Sequence, residues 1–151
     1  MILKKQEKGS VIKAMYDSSN ILASIYDKET KDLTIIFNKG TQYKYPNVKT
    51  TDYTRFELAE SQGQIFNSHI KSYSFEKLDA IDPSNILDEV SDIKEAESKA
   101  KLKDMSLKLI NKFTSCVSTA QLNDNMLDPD QLTDLQAYIT VYISEITKQD
   151  E

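Results

Sequence analysis

The sequence predicts an α+β protein in which a small antiparallel β-meander with short helices is followed by an α-helical hairpin. Apolar and polar residues alternate with a period of two between residues 11 and 45, which indicates half-buried strands. The apolar spacing then changes to three or four residues, in short stretches between residues 50 and 70 and in two long stretches beyond residue 82, which indicates helices. The predicted division is a flexible N-terminus at residues 1–8, an α+β domain at 9–80 and an acidic helical hairpin at 81–151.

Turn residues divide the alternating stretch into strands. The four polar residues 17–20 can each bond to nearby backbone groups, which is typical of a turn. Gly40 can take a positive φ in a short connection, and Pro46 ends the last strand because it cannot donate to a strand ladder. The predicted strands are 11–16, as an edge strand, 21–26, 33–37 and 41–45, with a further strand around Tyr73 and Phe75.

Two short helices are predicted between this meander and residue 80. Tyr53, Phe56 and Ala59 recur every three residues, as expected for a helix that lies on a sheet. The segment 65–70 adds a second helical turn after Gly63.

The predicted hairpin has two helix starts of the same kind. Asp82 and Asp128 are each followed by a proline, and a capping aspartate before a proline favours a helix N-terminus. The first helix is expected to run to about residue 117, with a charged and solvated middle at 94–103. The second helix carries an apolar stripe that we interpret as a candidate protein interface, formed by Leu132, Leu135, Ile139, Tyr142, Ile143 and Ile146.

Composition excludes several classes of protein. The net charge of −5 divides into +2 for residues 1–80 and −7 for residues 81–151, so the two parts favour different partners. The single cysteine, Cys116, excludes an intrachain disulfide framework. The sequence has no apolar run long enough for a membrane span, and the charged N-terminus is unlike a secretory signal, so we expect no membrane partner and a cytoplasmic location.

No catalytic or metal site can be assembled from the sequence. His69 is the only histidine, and no nucleophile–base pair or phosphate-binding loop accompanies it. We therefore predict no enzyme activity, no metal and no cofactor.

A candidate nucleic-acid or ligand surface centres on the tyrosine strand. Tyrosine rings on a sheet can stack on unpaired bases, and nearby basic groups can bind phosphate. The competing interpretation places both strand tyrosines in the core, because so small a domain without tryptophan needs large rings inside. The candidate contacts are Tyr43, Lys44, Tyr45, Arg55, His69, Lys71 and Tyr73.

The order and spacing of short motifs in residues 11–78 resemble the KTSC domain, which occurs at the C-terminus of some lysyl-tRNA synthetases and as a small stand-alone protein in bacteria and their phages. The resemblance implies a small α+β domain, and the synthetase context implies RNA binding. Where the family usually carries lysine between the serine and glycine of one motif, this chain has Gln62. The matching residues are Ser18, Ser19 and Ile21; Tyr26 and Asp27; Gly40, Tyr43 and Tyr45; Tyr53 and Leu58; Ser61, Gly63, Phe66 and Asn67; Ile70, Lys71, Tyr73 and Phe75.

These patterns predict a small non-catalytic binding or adaptor protein, encoded by a bacterium or a phage. It is expected to engage a protein partner, or to form a homo-oligomer, through the C-terminal helices in the cytoplasm of a bacterium or an infected host cell. The alternative is an RNA- or single-stranded nucleic-acid-binding protein that uses the KTSC-like domain.

Overall fold

The computed structural model describes residues 1–122, 124 and 126–148, so the last three residues of the predicted hairpin lie outside the described residues. The chain divides into two compact units, Met1–Lys94 and Glu95–Glu151. The strands are β1 (Ile2–Lys8), β2 (Val11–Tyr16), β3 (Ile21–Asp27), β4 (Leu33–Phe37), β5 (Gln42–Tyr45) and β6 (Glu76–Leu78). The helices are α1 (Thr50–Glu57), α2 (Gln62–Ile65), a π-helical turn at Phe66–Ile70, α3 (Ser84–Leu122) and α4 (Pro129–Thr147).

The six strands form one antiparallel sheet in chain order, β1 to β6. The register aligns Ile12 with Tyr26, Tyr26 with Leu33, and Leu33 with Tyr45, so one cross-strand row of large side chains faces the core. All four of these residues are buried. The predicted α+β class, with an antiparallel meander followed by a helical pair, is confirmed.

The N-terminus differs from the prediction. Residues 1–8 were expected to be flexible, but Ile2–Lys8 forms β1 and pairs with β2, so β2 is not the edge strand. The strand has no clear apolar alternation because it pairs mainly through its backbone and lies at the edge of the sheet. Lysines on an edge strand also discourage pairing with a further chain.

The last strand also differs in position. It lies at Glu76–Leu78, just after the predicted pair of aromatic residues, and pairs with β5. Tyr73 and Phe75 instead place their rings against other side chains: the Tyr73 ring packs on the core, and the Phe75 ring meets the Tyr43 ring edge-on at 5.4 Å. Aromatic alternation alone did not distinguish strand residues from residues that pack beside a strand.

The sheet of the first unit is covered on both faces. One face packs against α1 and the π-helical turn, with Tyr53, Phe56 and Ile70 fully buried. A smaller cluster of Leu22, Ala23 and Ile36 lies apart from that core and packs against Ile86 and Val90 of α3. The first turns of α3 therefore belong to the first unit. The boundary at residues 80 and 81 for an independently folding domain stays a prediction.

Aspartate carboxylates accept hydrogen bonds at the start of both long helices. The Asp82 carboxylate accepts hydrogen bonds from the Ser84 amide at 3.0 Å and the Ser84 hydroxyl at 2.6 Å. Asp128 is the N-cap of α4, and its carboxylate accepts from the amides of Asp130 and Gln131. Asp128 therefore caps α4 directly, as the sequence predicted. Asp82 differs from the prediction, because α3 begins at Ser84, two residues after it.

Candidate binding surfaces

The tyrosine strand is divided between the core and the surface. Tyr45 is 3% exposed and packs beside the Phe66 ring at 6.0 Å, and burial raises the pKa of its phenol to about 12. Tyr43 is half-buried and meets the Phe37 ring edge-on at 5.8 Å. Lys44 bonds to Asp32 at 2.7 Å, and this carboxylate raises the pKa of the ammonium group. Tyr45 is therefore inaccessible to a stacking base, whereas Tyr43 keeps an exposed portion.

The other four candidate contacts lie on α1 and near the π-helical turn. Tyr73 donates to the Asp52 carboxylate at 2.6 Å, and Arg55 lies 3.8 Å from the same group, so Asp52 joins these two residues. The hydrogen bond to Asp52 raises the pKa of Tyr73. His69 is partly exposed, with Nδ1 at 2.7 Å from the Ser68 hydroxyl, and Lys71 is exposed. An arginine that neighbours a carboxylate is a weaker phosphate ligand than the sequence suggests.

Phe75 is a surface residue that the candidate set omitted. Its ring is 60% exposed and contacts the half-buried Tyr43, while Lys77 stands directly across the strand pair from Tyr43. The sequence signal was present in the motif that ends with Tyr73 and Phe75, but it was interpreted as a strand. Tyr43 and Phe75 together form an aromatic pair at the surface.

A buried polar network inside the first unit was also missed. Glu57 is 5% exposed, accepts from the Tyr53 hydroxyl at 3.3 Å and bonds to Lys5 of β1 at 2.7 Å. The Tyr16 and Ser24 hydroxyl oxygens lie 2.7 Å apart, and burial raises the pKa of Tyr16 and of Tyr53. The only signal in the sequence was the four-residue spacing between Tyr53 and Glu57, which places both on one helix face. This network satisfies buried polar groups and supplies no nucleophile–base pair.

Gln62 occupies the position where the resembling family usually carries lysine. It is fully buried, and its side-chain amide donates to the Ala59 carbonyl at 2.7 Å. The position therefore serves the packing of α2 in this chain and contributes no surface charge.

In the second unit, α3 and α4 pack as an antiparallel pair, as the cross-helix contacts show. The Ser106 and Tyr142 hydroxyl oxygens lie 2.5 Å apart, and the Cys116 thiol lies 3.7 Å from the Gln131 carbonyl. Leu135 is buried in this seam, and Tyr142 is half-buried there. Two members of the predicted interface stripe thus contribute to the hairpin itself and are largely withheld from a partner.

One side of the hairpin is charged. Lys101 pairs with Glu145, and Lys112 pairs with Asp134, so both ion pairs cross the seam. Lys101 and Lys148 bond to Glu145 and lower the pKa of its carboxyl to about 2. We call this the charged side.

The opposite side is apolar. Successive helix residues turn by about 100° around the helix axis. On both helices, the exposed apolar residues lie beside the seam residues, on the side toward which the chain winds. Because the helices are antiparallel, these two arcs lie on the same side of the pair, away from the ion pairs. We define the apolar face as Ile110, Phe113 and Val117 on α3, with Leu132, Ile139, Ile143 and Ile146 on α4, all of which are exposed.

Charged residues avoid the central part of this face. Between residues 106 and 117 and between 132 and 146, the charged residues are Lys108, Lys112, Asp134 and Glu145, and the helical rotation places all four toward the charged side. At one end of the face, Lys103 lies two turns before Ile110 on the same side of α3. Four of the six residues in the predicted stripe lie on the apolar face. The α3 half of the apolar face was not among the candidate interface residues.

Within the described ranges 1–122, 124 and 126–148, no group of three or more histidine, cysteine, aspartate or glutamate side chains is placed to hold a metal ion. In the same ranges, no helix is long and apolar enough to span a membrane.

The fold and the position of its motifs define a small α+β module with a meander sheet and a helical extension. Residues 17–75 match the family model of the KTSC domain. This chain therefore contains a KTSC domain, and the resemblance seen in the sequence is confirmed. The matched segment does not include the helical pair α3 and α4.

Among solved structures, the crystal structure of a KTSC domain protein from Yersinia pestis is similar to this chain. The two are 27% identical, the alignment covers 50% of this chain and 97% of that chain, and the TM-score is 0.42. No curated protein matches the chain.

Proposed function

We propose that this chain is a non-catalytic binding or adaptor protein that engages protein through the apolar face of its hairpin. The observation that carries the proposal is the division of the hairpin into a charged side and an apolar side. Large apolar patches on a protein surface commonly mark interaction sites, and a covering partner removes them from water. The proposal includes a bacterial or phage origin and a cytoplasmic location, in keeping with a single buried thiol.

The composition of the face suits a protein partner. Phe113 supplies an aromatic ring and the remaining members are branched aliphatic residues, a mixture typical of the buried centre of protein interfaces. The face is poor in the lysines and arginines that nucleic acid would require, since Lys108 and Lys112 lie on the charged side.

Two residues of α4 provide a matched test. Ile143 lies on the apolar face and is 54% exposed, while Val141 lies on the other side of the same helix and is 53% exposed. Immobilised full-length protein should capture protein from a mixture of a bacterial lysate and a differently tagged copy of this chain. Ile143→Asp should lose that capture, and Val141→Asp should keep it. The proposal fails when the wild type captures neither a lysate protein nor the copy, or when both variants capture as the wild type does.

A second candidate function is binding of single-stranded RNA by the KTSC domain. It is supported by the aromatic pair of Tyr43 and exposed Phe75, with Lys77 across the strand pair. Stacking of one base contributes about 1–3 kcal/mol, so Phe75→Ala should weaken RNA binding by roughly tenfold. A gel-shift titration at two salt concentrations measures this, with Leu58→Ala, another exposed apolar residue, as the control. Equal affinity of wild type and Phe75→Ala would reject the role of the pair.

A further inference from the structure

We propose that a cavity between the sheet and the first turns of α3 binds a small amphiphilic carboxylate, a free aliphatic acid of medium chain length. This site goes beyond the proposed function, because it lies in the first unit and takes a small molecule instead of a protein. The cavity has a volume of about 230 Å³ and is lined by residues of β1 to β4 and of α3.

The interior of the cavity is apolar because the strand register places apolar side chains in one row. Met15, Ala23 and Ile36 stand directly across from one another on β2, β3 and β4, and cross-strand partners share one face of the sheet. Ile86 of α3 packs against this row and closes the cavity from the helix side. Ala23 and Ile36 are buried, so this row forms the closed end of the cavity.

The mouth of the cavity is more polar. The next row on the same face holds Gln6, Lys13 and Ile25, which also line the cavity. Gln6 and Lys13 are exposed and Ile25 is half-buried, so this row lies toward solvent. A lysine can lay its apolar stem along a cavity wall while its ammonium group stays in water. The Lys13 ammonium group therefore lies where a bound hydrocarbon chain would end.

The charges around the cavity favour an anionic ligand. Lys4 pairs with Glu89 and Asp17 pairs with Lys94, and these two ion pairs hold α3 against the sheet. Glu89 is the only acidic residue among the described residues that line the cavity, and Lys4 is its partner. Lys13 has no ion pair within the described part of the chain. One uncompensated ammonium group beside an apolar cavity suits a ligand that has an apolar body and a single negative charge.

The volume limits the length of the ligand. A cavity of about 150 Å³ holds benzene, which has six non-hydrogen atoms, so a cavity of about 230 Å³ holds roughly nine. Octanoate has about this size, with its hydrocarbon chain in the interior and its carboxylate beside Lys13 and the Gln6 amide. Pockets for drug-sized ligands are larger, at about 300–1,000 Å³, so this cavity would not enclose a nucleotide.

An NMR titration of the purified full chain with sodium octanoate, followed through the methyl signals, tests the proposal. The signals of Ile25, Ile36 and Ile86 should shift, with a dissociation constant of roughly 0.1–1 mM for a ligand of this size. Lys13→Gln should weaken octanoate binding by roughly three- to tenfold, because the carboxylate loses its ion pair. The uncharged probe octan-1-ol should bind the wild type and Lys13→Gln equally. Lys39→Gln removes another exposed lysine and should bind octanoate as the wild type does.

A titration without methyl shifts up to about 10 mM octanoate overturns the inference, and so do shifts that lie mainly on the apolar face of the hairpin. Equal octanoate affinity of the wild type and Lys13→Gln also overturns it. Ile25→Trp is a second test that does not depend on charge, because the larger ring fills the mouth of the cavity. This variant should weaken the binding of both octanoate and octan-1-ol, with far-UV circular dichroism as the check on its fold. Unchanged binding by the folded Ile25→Trp protein would contradict binding in this cavity.

Discussion

Gly40 lies against the backbone of Ile81 so closely that a Cβ built on the glycine would be 2.0 Å from the Ile81 carbonyl oxygen. The Ile81 amide donates to the Gly40 carbonyl at 3.0 Å, so the turn before β5 is bonded to the segment that leads into α3. Gly40 also has a φ of +79°, which favours glycine. The turn therefore fixes where the chain leaves the sheet.

Gly40→Ala should lower the free energy of unfolding by about 2–4 kcal/mol, because it adds both a strained φ and a steric overlap. Gly9→Ala is the matched control, since Gly9 has a φ of +63° and nothing within 4 Å of its built Cβ. Gly9→Ala should lower the free energy of unfolding by only about 1 kcal/mol. Chemical denaturation of both variants measures the difference, and equal losses would show that the contact with Ile81 has no energetic role.

Tyr45→Ala should lower the free energy of unfolding by about 3 kcal/mol or more, because the ring is buried in the core beside Phe66. Tyr43→Ala should cost less, since its ring is only half-buried. Thermal and urea denaturation test both variants. A Tyr45→Ala protein as stable as the wild type would contradict a structural role for this residue.

A fragment of residues 1–94 should unfold cooperatively and be more stable than a fragment of residues 9–80. The shorter fragment loses β1 and exposes Leu22 and Ile36, which Ile86 and Val90 cover in the full chain. Calorimetry of the two fragments gives the comparison. A fragment 9–80 that melts at the same temperature as 1–94 would mean that β1 and the first turns of α3 contribute little.

Acid should weaken the cross-helix bonding of Glu145. Its pKa falls from the usual 4.5 to about 2 in the fold, chiefly through the hydrogen bond from Lys101. A lowered folded-state pKa gives stabilisation that is present above pH 4.5 and is lost as the pH falls toward about 2. The difference in melting temperature between wild type and Glu145→Gln should therefore shrink across this window. Melts followed by far-UV circular dichroism measure it, and a constant difference would contradict the bonding to Lys101.

Much of the fold was predictable because its main elements carry a clear period. Strand β2 alternates buried and more exposed residues, β3 and β4 are short apolar runs bounded by turn residues, and α4 begins at the predicted aspartate cap. Strand β1 was not predictable, because an edge strand can pair through its backbone without an apolar face. The burial of Glu57 was also hidden, since it depends on a lysine from β1, more than fifty residues earlier in the chain.

The candidate interface was predictable only in part. The stripe on α4 combines seam residues, such as Leu135, with residues of the apolar face, such as Ile143, because both follow helical spacing. The seam residues and the apolar-face residues of α4 can be told apart only when the structure shows which side of α4 is covered by α3. The contribution of α3 was hidden for the same reason, since Met105 and Phe113 belong to one apolar series in the sequence, but Met105 is buried in the fold and Phe113 is largely exposed.

The central claim is that both helices contribute to one binding face, and α3 offers its own matched pair of residues. Ile110 lies on the apolar face and is 58% exposed, whereas Leu107 is 53% exposed and lies on the side of α3 that points away from α4. The most direct measurement is the association of full-length protein carrying Ile110→Asp or Leu107→Asp, with helix content checked for each. Ile110→Asp should abolish the same association that Ile143→Asp abolishes, and Leu107→Asp should retain it. Retention by Ile110→Asp, or equal loss in both variants, would contradict a single face shared by α3 and α4.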